Sequence, residues 1–221
     1  SSSERAGPLP SAHPGVRSKG GRPVSRVPPT HLVYLHGFRS SPRSFKAVRL
    51  QQWLAAHRPE VTWWCPQLPP SPAQAMTLLQ AQFERWPSER LALVGSSLGG
   101  FYATHLCHRF GCRTVLLNPA VDPARDLAAH VGEQSGFHAP HERFRFEAQH
   151  LDELRALKVG ALRRPEQCLA IIATGDELLD WREMADYYAG CQLHVIQGSD
   201  HSLSDFDQHL PTLLDHLDLS T

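Results

Sequence analysis

The chain has 221 residues, of which 41% are hydrophobic, 20% charged and 8% aromatic, a balance that supports a packed globular core and excludes fibrous or wholly disordered composition. Twenty-two basic against 22 acidic residues leave a formal charge of zero, so charge offers no basis for binding nucleic acid or adsorbing to an anionic membrane. The longest apolar runs, 91–95 and 169–173, are strand-sized and far short of the ~20 residues of a transmembrane helix.

Residues 1–30 hold Pro8, Pro10, Pro14, Pro23, Pro28 and Pro29 and no aromatic residue, too little buriable surface to offset the entropy of ordering. They are expected to form a disordered tail ahead of a single domain at 31–221. Arg5, Arg17, Lys19, Arg22 and Arg26 against Glu4 make the tail basic by four charges, so the domain carries four excess acidic charges. The tail lacks the apolar stretch of about 7 to 15 residues that marks a secretory signal. Cys65, Cys107, Cys112, Cys168 and Cys191 are odd in number and contain no C-x-x-C pair, unlike a disulfide framework. A cytoplasmic location is the expectation.

Beyond the tail, short apolar runs alternate with helical stretches. Residues 32–35 read as a strand, and 43–56 as a helix carrying Phe45, Val48, Leu50 and Leu54 roughly on one face. A strand at 61–65 follows, with Trp63 and Trp64 as core and face residues. Ser71 and Pro72 form an N-cap and N1 pair opening a helix to about Trp86. The third strand is 91–94, the next helix runs 98–110 and stops at Gly111, and 114–117 is a strand ended by Asn118 and Pro119. The rhythm breaks over 122–165. With Phe137, Phe144 and Phe146, this insert reads either as a small lid over a pocket or as a helical excursion packed at the sheet edge. A strand at 168–173, a helix at 181–188, a strand at 193–196 and a closing helix at 206–217 complete the chain. Strands joined through helices pair in parallel, with helices on both faces, so a three-layer α/β fold is expected.

Directly after the third strand stands Gly95-Ser96-Ser97-Leu98-Gly99-Gly100, a G-x-S-x-G match in the strand-turn-helix setting the motif requires. Ser97 is the candidate nucleophile, and Gly95 and Gly99 let strand and helix pass closely around it. No G-x-x-x-x-G-K-[ST] or G-x-G-x-x-G phosphate loop is present. A serine hydroxyl needs a base oriented by an acid, and behind this turn the acid and base follow in that chain order. Asp176 lies just past the strand at 168–173. Asp180, four residues on at the start of a helix, is the weaker candidate because that position suits an N-cap. His201 follows the last strand in Gly198-Ser199-Asp200-His201-Ser202 and is the expected general base, whereas His194 lies inside that strand and points to a sheet face. The N–H groups of Leu98 and Phe38 are the candidate oxyanion donors, the latter from His36-Gly37-Phe38 after the first strand, where His36 orders the loop. His105, Cys107, His108 and Cys112 match no standard zinc spacing and are read as packing or solvent-facing residues. No metal or organic cofactor is expected.

The blocks Tyr34 to Phe38, Gly95 to Gly100, Asn118 to Val121, Thr174 to Glu177 and Asp200-His201 resemble those of the α/β-hydrolase superfamily, and within it the small bacterial YqiA-type esterases. The resemblance covers about residues 32–217. It implies a reduced, mostly parallel sheet of about six strands, a triad of Ser97, Asp176 and His201, and esterase activity on short acyl esters and acyl-CoA thioesters. The proline-rich tail departs from the family pattern. The rival readings are a catalytically silent binding module on the same scaffold and a lyase or acyltransferase using the same triad. The oligomeric state and the acyl length are not set by the sequence.

Overall fold

The structure is a computed structural model and describes residues 27–220. Most of the expected tail lies outside the described residues. Its last residue does not: Thr30 donates its N–H to the Arg90 carbonyl and accepts from the Thr62 N–H, both at 2.8 Å. Ordered backbone pairing therefore starts before the boundary drawn from composition.

In chain order the elements are β1 (His31–Leu35), α1 (Phe45–His57), β2 (Thr62–Trp64), α2 (Pro72–Phe83), β3 (Leu91–Ser96), α3 (Leu98–Phe110) and β4 (Arg113–Leu117). The insert holds α4 (Pro123–Asp126), β5 (Gly132–Ser135), β6 (Arg143–Phe146) and α5 (Ala148–Leu157). The chain ends with β7 (Cys168–Ala173), α6 (Trp181–Tyr187), β8 (Gln192–Ile196) and α7 (Phe206–His216). Local chemistry explains the ends. Ser71 Oγ accepts from the Gln74 N–H at 3.1 Å and Pro72 fills N1 of α2, while Gly111 closes α3 in the left-handed conformation at φ 70°.

Six strands form one parallel sheet in the order β2-β1-β3-β4-β7-β8. Residues in β3 and β7 are buried throughout, as expected for strands covered on both faces. Alternate side chains feed two cores. Leu32, Tyr34, Val94 and Ile171 pack beneath α1 and α7, while Val33, Leu35, Leu93 and Ile172 pack beneath α2, α3 and α6. Trp63 and Trp64 lie against opposite cores. The face of α1 differs from expectation: Lys46, Ala47, Leu50 and Leu54 are buried, whereas Phe45 is 48% exposed. The row 46/47, 50, 54 follows the helical repeat onto the sheet, and Phe45 is rotated out of it to meet Phe206 of α7 edge-on.

The insert is not a purely helical excursion. Its centre is a hairpin, with Gly132 opposite Phe146 and Ser135 opposite Arg143. Phe144 and Phe146 pack their rings on Phe38 at 5.8 and 5.2 Å between centroids, fastening the hairpin to the loop after β1. Among the described residues no helix is long and apolar enough to cross a membrane.

The strand order reverses between β1 and β3: the chain adds β2 on one side of β1, then crosses to build outward from β3 on the other. A crevice opens at the carboxyl ends of the two strands flanking such a point. Leu35 pairs with Gly95 there, so the loop starting at His36 and the turn at Ser97 emerge side by side.

Candidate active site

Ser97 sits between β3 and α3 at φ 57° and ψ −116°, a conformation that a non-glycine residue holds only when its surroundings fix it. The Ser97 N–H donates to the Leu117 carbonyl and the Ser97 carbonyl accepts from the Ala120 N–H, both at 3.0 Å. The flanking glycines are dictated by crowding. A Cβ on Gly95 would lie 2.3 Å from the Gly99 carbonyl oxygen, and one on Gly99 would lie 2.0 Å from that of Leu35. The elbow is pressed between β1 and the first turn of α3, leaving Ser97 half-buried at the crevice.

Ser97 Oγ is 3.0 Å from His201 Nε2, and His201 Nδ1 is 2.7 Å from Asp176 Oδ2. The other carboxyl oxygen of Asp176 accepts from the N–H groups of Leu178 and Leu179, both at 2.8 Å. The Asp176 side chain is 0% exposed and that of His201 15%, so the hydrogen on Nδ1 is directed at a dry carboxylate while Nε2 faces the serine. The three residues nominated from the sequence thus meet in one hydrogen-bonded line. Asp180 caps α6 through the Arg182 N–H at 2.9 Å. His194 stays on β8, packed against His209.

Several supporting residues escaped sequence reasoning. Asn118, fully buried at φ 41°, donates through Nδ2 to the carbonyls of Asp200 and His201 at 3.1 and 3.0 Å, and its Oδ1 accepts from the Ala173 N–H at 2.8 Å. One side chain therefore spans the ends of β4 and β7 and the histidine loop. Glu177 Oε2 accepts from the His201 N–H at 3.0 Å. Lys46, buried in α1, donates to the Ser202 carbonyl at 2.5 Å. Burial pushes its ammonium down to about 8, with Asp200 and Asp176 opposing that shift. Asp205 accepts from Ser199 Oγ and from His209 Nε2, tying the loop to α7. For Asn118 the available signal was an Asn-Pro pair at a strand end; for Lys46 there was none, because its burial depends on which face of α1 meets the sheet.

The loop after β1 is held by His36. Its ring is buried, Nδ1 donates to the Gly37 carbonyl at 2.8 Å, and Nε2 accepts from the Leu68 N–H at 3.0 Å. Burial lowers its pKa, consistent with the neutral ring that this pattern demands. A Cβ on Gly37 would lie 4.0 Å from Ser97 Oγ, so the loop passes directly beside the serine. Among the described residues the N–H groups of Phe38 and Leu98 have no protein acceptor. Both residues line a cavity of about 300 Å³ that also includes Tyr102 and Phe144. Elsewhere, His105 bonds the Leu157 carbonyl at 3.0 Å, and Cys107 Sγ lies 3.1 Å from Cys168 Sγ in the core. Among the described residues no group of three His, Cys, Asp or Glu side chains is arranged to hold a metal ion.

Residues 31–218 match the model of the uncharacterised protein family UPF0227. A UPF0227 protein of Yersinia pseudotuberculosis is 22% identical over 181 residues, covering 81% of this chain and 94% of that one. Among solved structures, alpha/beta hydrolase domain-containing protein 10 from mouse superposes with a TM-score of 0.61 at 13% identity, over 90% of this chain and 92% of that one. A monoacylglycerol lipase of Paleococcus ferrophilus gives a TM-score of 0.61 at 13% identity, over 86% and 96%. These likenesses, with the six-stranded parallel sheet and its two helical layers, establish the α/β-hydrolase fold.

Proposed function

The chain belongs to the UPF0227 family, and from that premise and the geometry of its crevice we propose that it is a serine esterase acting on carboxylic esters and thioesters through an acyl-enzyme. The observation that carries the reading is the unbroken line from Ser97 Oγ through His201 to the buried Asp176, at 3.0 and 2.7 Å. These are the distances at which a base takes a serine proton. The lipase name of a structural neighbour is in keeping with this reading.

In this mechanism His201 Nε2 accepts the Ser97 proton as Oγ attacks the acyl carbonyl carbon. Asp176 holds the ring and stabilises the imidazolium that forms. Negative charge develops on the carbonyl oxygen, and the N–H groups of Phe38 and Leu98, which no protein group accepts, are the donors this reading assigns to it. The positive end of α3 adds to them. Collapse expels the alkoxide or thiolate, which takes the proton from Nε2. Water then attacks the acyl-enzyme with His201 again as base, releasing the acid and restoring the serine hydroxyl. All five cysteines are free thiols, which supports placing the enzyme in a reducing, cytoplasmic setting.

The test is labelling with a fluorophosphonate, read by mass spectrometry, alongside turnover of p-nitrophenyl acyl esters of graded length. Stoichiometric adduct on Ser97 and turnover abolished by Ser97→Ala are expected. Absence of adduct and of turnover would overturn the esterase reading and leave a binding module on a hydrolase scaffold.

A further inference from the structure

The cavity beside the oxyanion loop has an unusual distribution of charge. Its apolar part includes Leu68, Leu98, Tyr102 and Phe144, but its rim carries Arg39, Arg43 and Arg143 against one carboxylate, Glu142. None of the three arginines forms an ion pair with a carboxylate among the described residues, whereas Arg125 is engaged by Asp126 and Glu183. The domain as a whole carries excess acidic charge, so this rim is opposite in sign to the domain's net charge.

Two of the arginines are already braced. Arg39 donates through Nε to the Ser135 carbonyl at 2.7 Å and lies 4.4 Å over the Phe137 ring. Arg43 donates to the His138 carbonyl at 3.1 Å. Bonding a guanidinium to neutral carbonyls fixes its direction while leaving its charge uncompensated, and its remaining N–H groups match the spacing of a carboxylate. A volume of about 300 Å³ lies at the small end of ligand pockets.

Resting on the esterase reading above, we propose that this cavity takes the acyl part of the substrate and that the acyl chain ends in a carboxylate bound by Arg43 and Arg143. The preferred substrates are then half-esters of short dicarboxylic acids. The acyl side is assigned by the position of the base. The leaving oxygen must lie at His201 Nε2 to collect its proton; neither Ser97 nor His201 is among the cavity walls, whereas both oxyanion-donor residues are, so the cavity opens on the oxyanion side of the serine and away from the base. The group that enters past Phe38 and Leu98 is therefore the one attached to the carbonyl carbon.

The test compares kcat/KM for p-nitrophenyl hemiglutarate and p-nitrophenyl valerate, which have equal chain length, with the half-ester's intramolecular background measured on Ser97→Ala and subtracted. A third arm uses 4-sulfophenyl valerate, placing the anion on the leaving group. The hemiglutarate is expected to be favoured by about tenfold or more, as charge-assisted hydrogen bonds to a partly shielded carboxylate allow. That ratio should fall toward one in Arg43→Gln/Arg143→Gln and with added salt. A ratio of one or less, a ratio insensitive to the double substitution, or a preference that follows the sulfonate would overturn the proposal. If fluorophosphonate fails to label Ser97 and no ester turns over, the esterase reading falls separately. Calorimetry with monomethyl glutarate and methyl valerate then decides the cavity: tighter binding of the anion, lost in the double variant, supports it, and equal binding refutes it.

Discussion

Asp176 and Asp180 stand four residues apart and make different bonds, one to His201 and two backbone amides, the other to the start of α6. Asp176→Asn is therefore expected to lower kcat by about 10³ to 10⁴-fold, because an amide cannot hold the imidazole in the tautomer that leaves Nε2 free to accept. Asp180→Asn, which keeps a competent cap, should stay within a few-fold of wild type. Steady-state turnover of a p-nitrophenyl ester checks both, and the reverse pattern would overturn the assignment. Glu177 acts through His201 by accepting its backbone N–H. Since its own side chain is exposed, Glu177→Ala should reduce kcat about tenfold with thermal stability almost unchanged, and Glu177→Gln, which keeps an acceptor oxygen, should recover most of the loss. Equal activity of wild type and Glu177→Ala would remove Glu177 from the positioning network.

Elements that follow a single periodicity were legible before the fold was known. The strands read at 91–94, which runs on to Ser96, and at 168–173, the cap pair Ser71-Pro72 and the stop at Gly111 were all announced by local chemistry. So was the turn holding Ser97, because its G-x-S-x-G spacing is local, although the contact that dictates Gly99 comes from Leu35 of β1. The hairpin was less plain. Arg143-Phe144-Arg145-Phe146 alternates as a strand should, but its partner Gly-Glu-Gln-Ser has no apolar residue, and what fastens it, the rings of Phe144 and Phe146 on Phe38 and the Arg39 bond to the Ser135 carbonyl, comes from a distant loop. Asn118 and Lys46 were hidden for the same cause: their partners are 55 to 156 residues away. On the proposed esterase reading, the hairpin holds the loop that carries the Phe38 N–H. Phe144→Ala removes one of its ring contacts, so kcat should fall about tenfold or more while the urea midpoint moves modestly, Phe144 being partly exposed. A variant that loses stability but retains full kcat would show that the hairpin supports the fold without positioning Phe38.

Across the whole molecule, strand order was the least legible feature, since spacing reveals that β1 is followed by β2 but not on which side the chain returns, and the crevice exists only because it returns on the other side. The same architecture buries titratable groups whose protons link the site to global stability. Burial lowers the pKa of His36, His105 and His216 from an ordinary 6.5. As pH falls through 6.5 the unfolded chain takes up these protons before the folded one does, so stability is full above that value and declines below it. Lys46 acts at the opposite end. Its proton leaves the folded protein near 8 but the unfolded chain near 10.5, so between those values the unfolded state again binds more protons and this group's contribution rises with pH. Urea unfolding at pH 7, 6 and 5 should show a falling free energy, with a shallower fall in His36→Gln. At pH 8, 9 and 10 the stability of wild type relative to Lys46→Met should increase, by on the order of 1 to 3 kcal/mol in total. A difference that stays constant across the alkaline range would mean that Lys46 keeps its proton inside the fold. The hydrogen bond to Ser202 beside His201 would then be that of a full ammonium, and its charge would bear on Asp176 and His201 across the whole alkaline range.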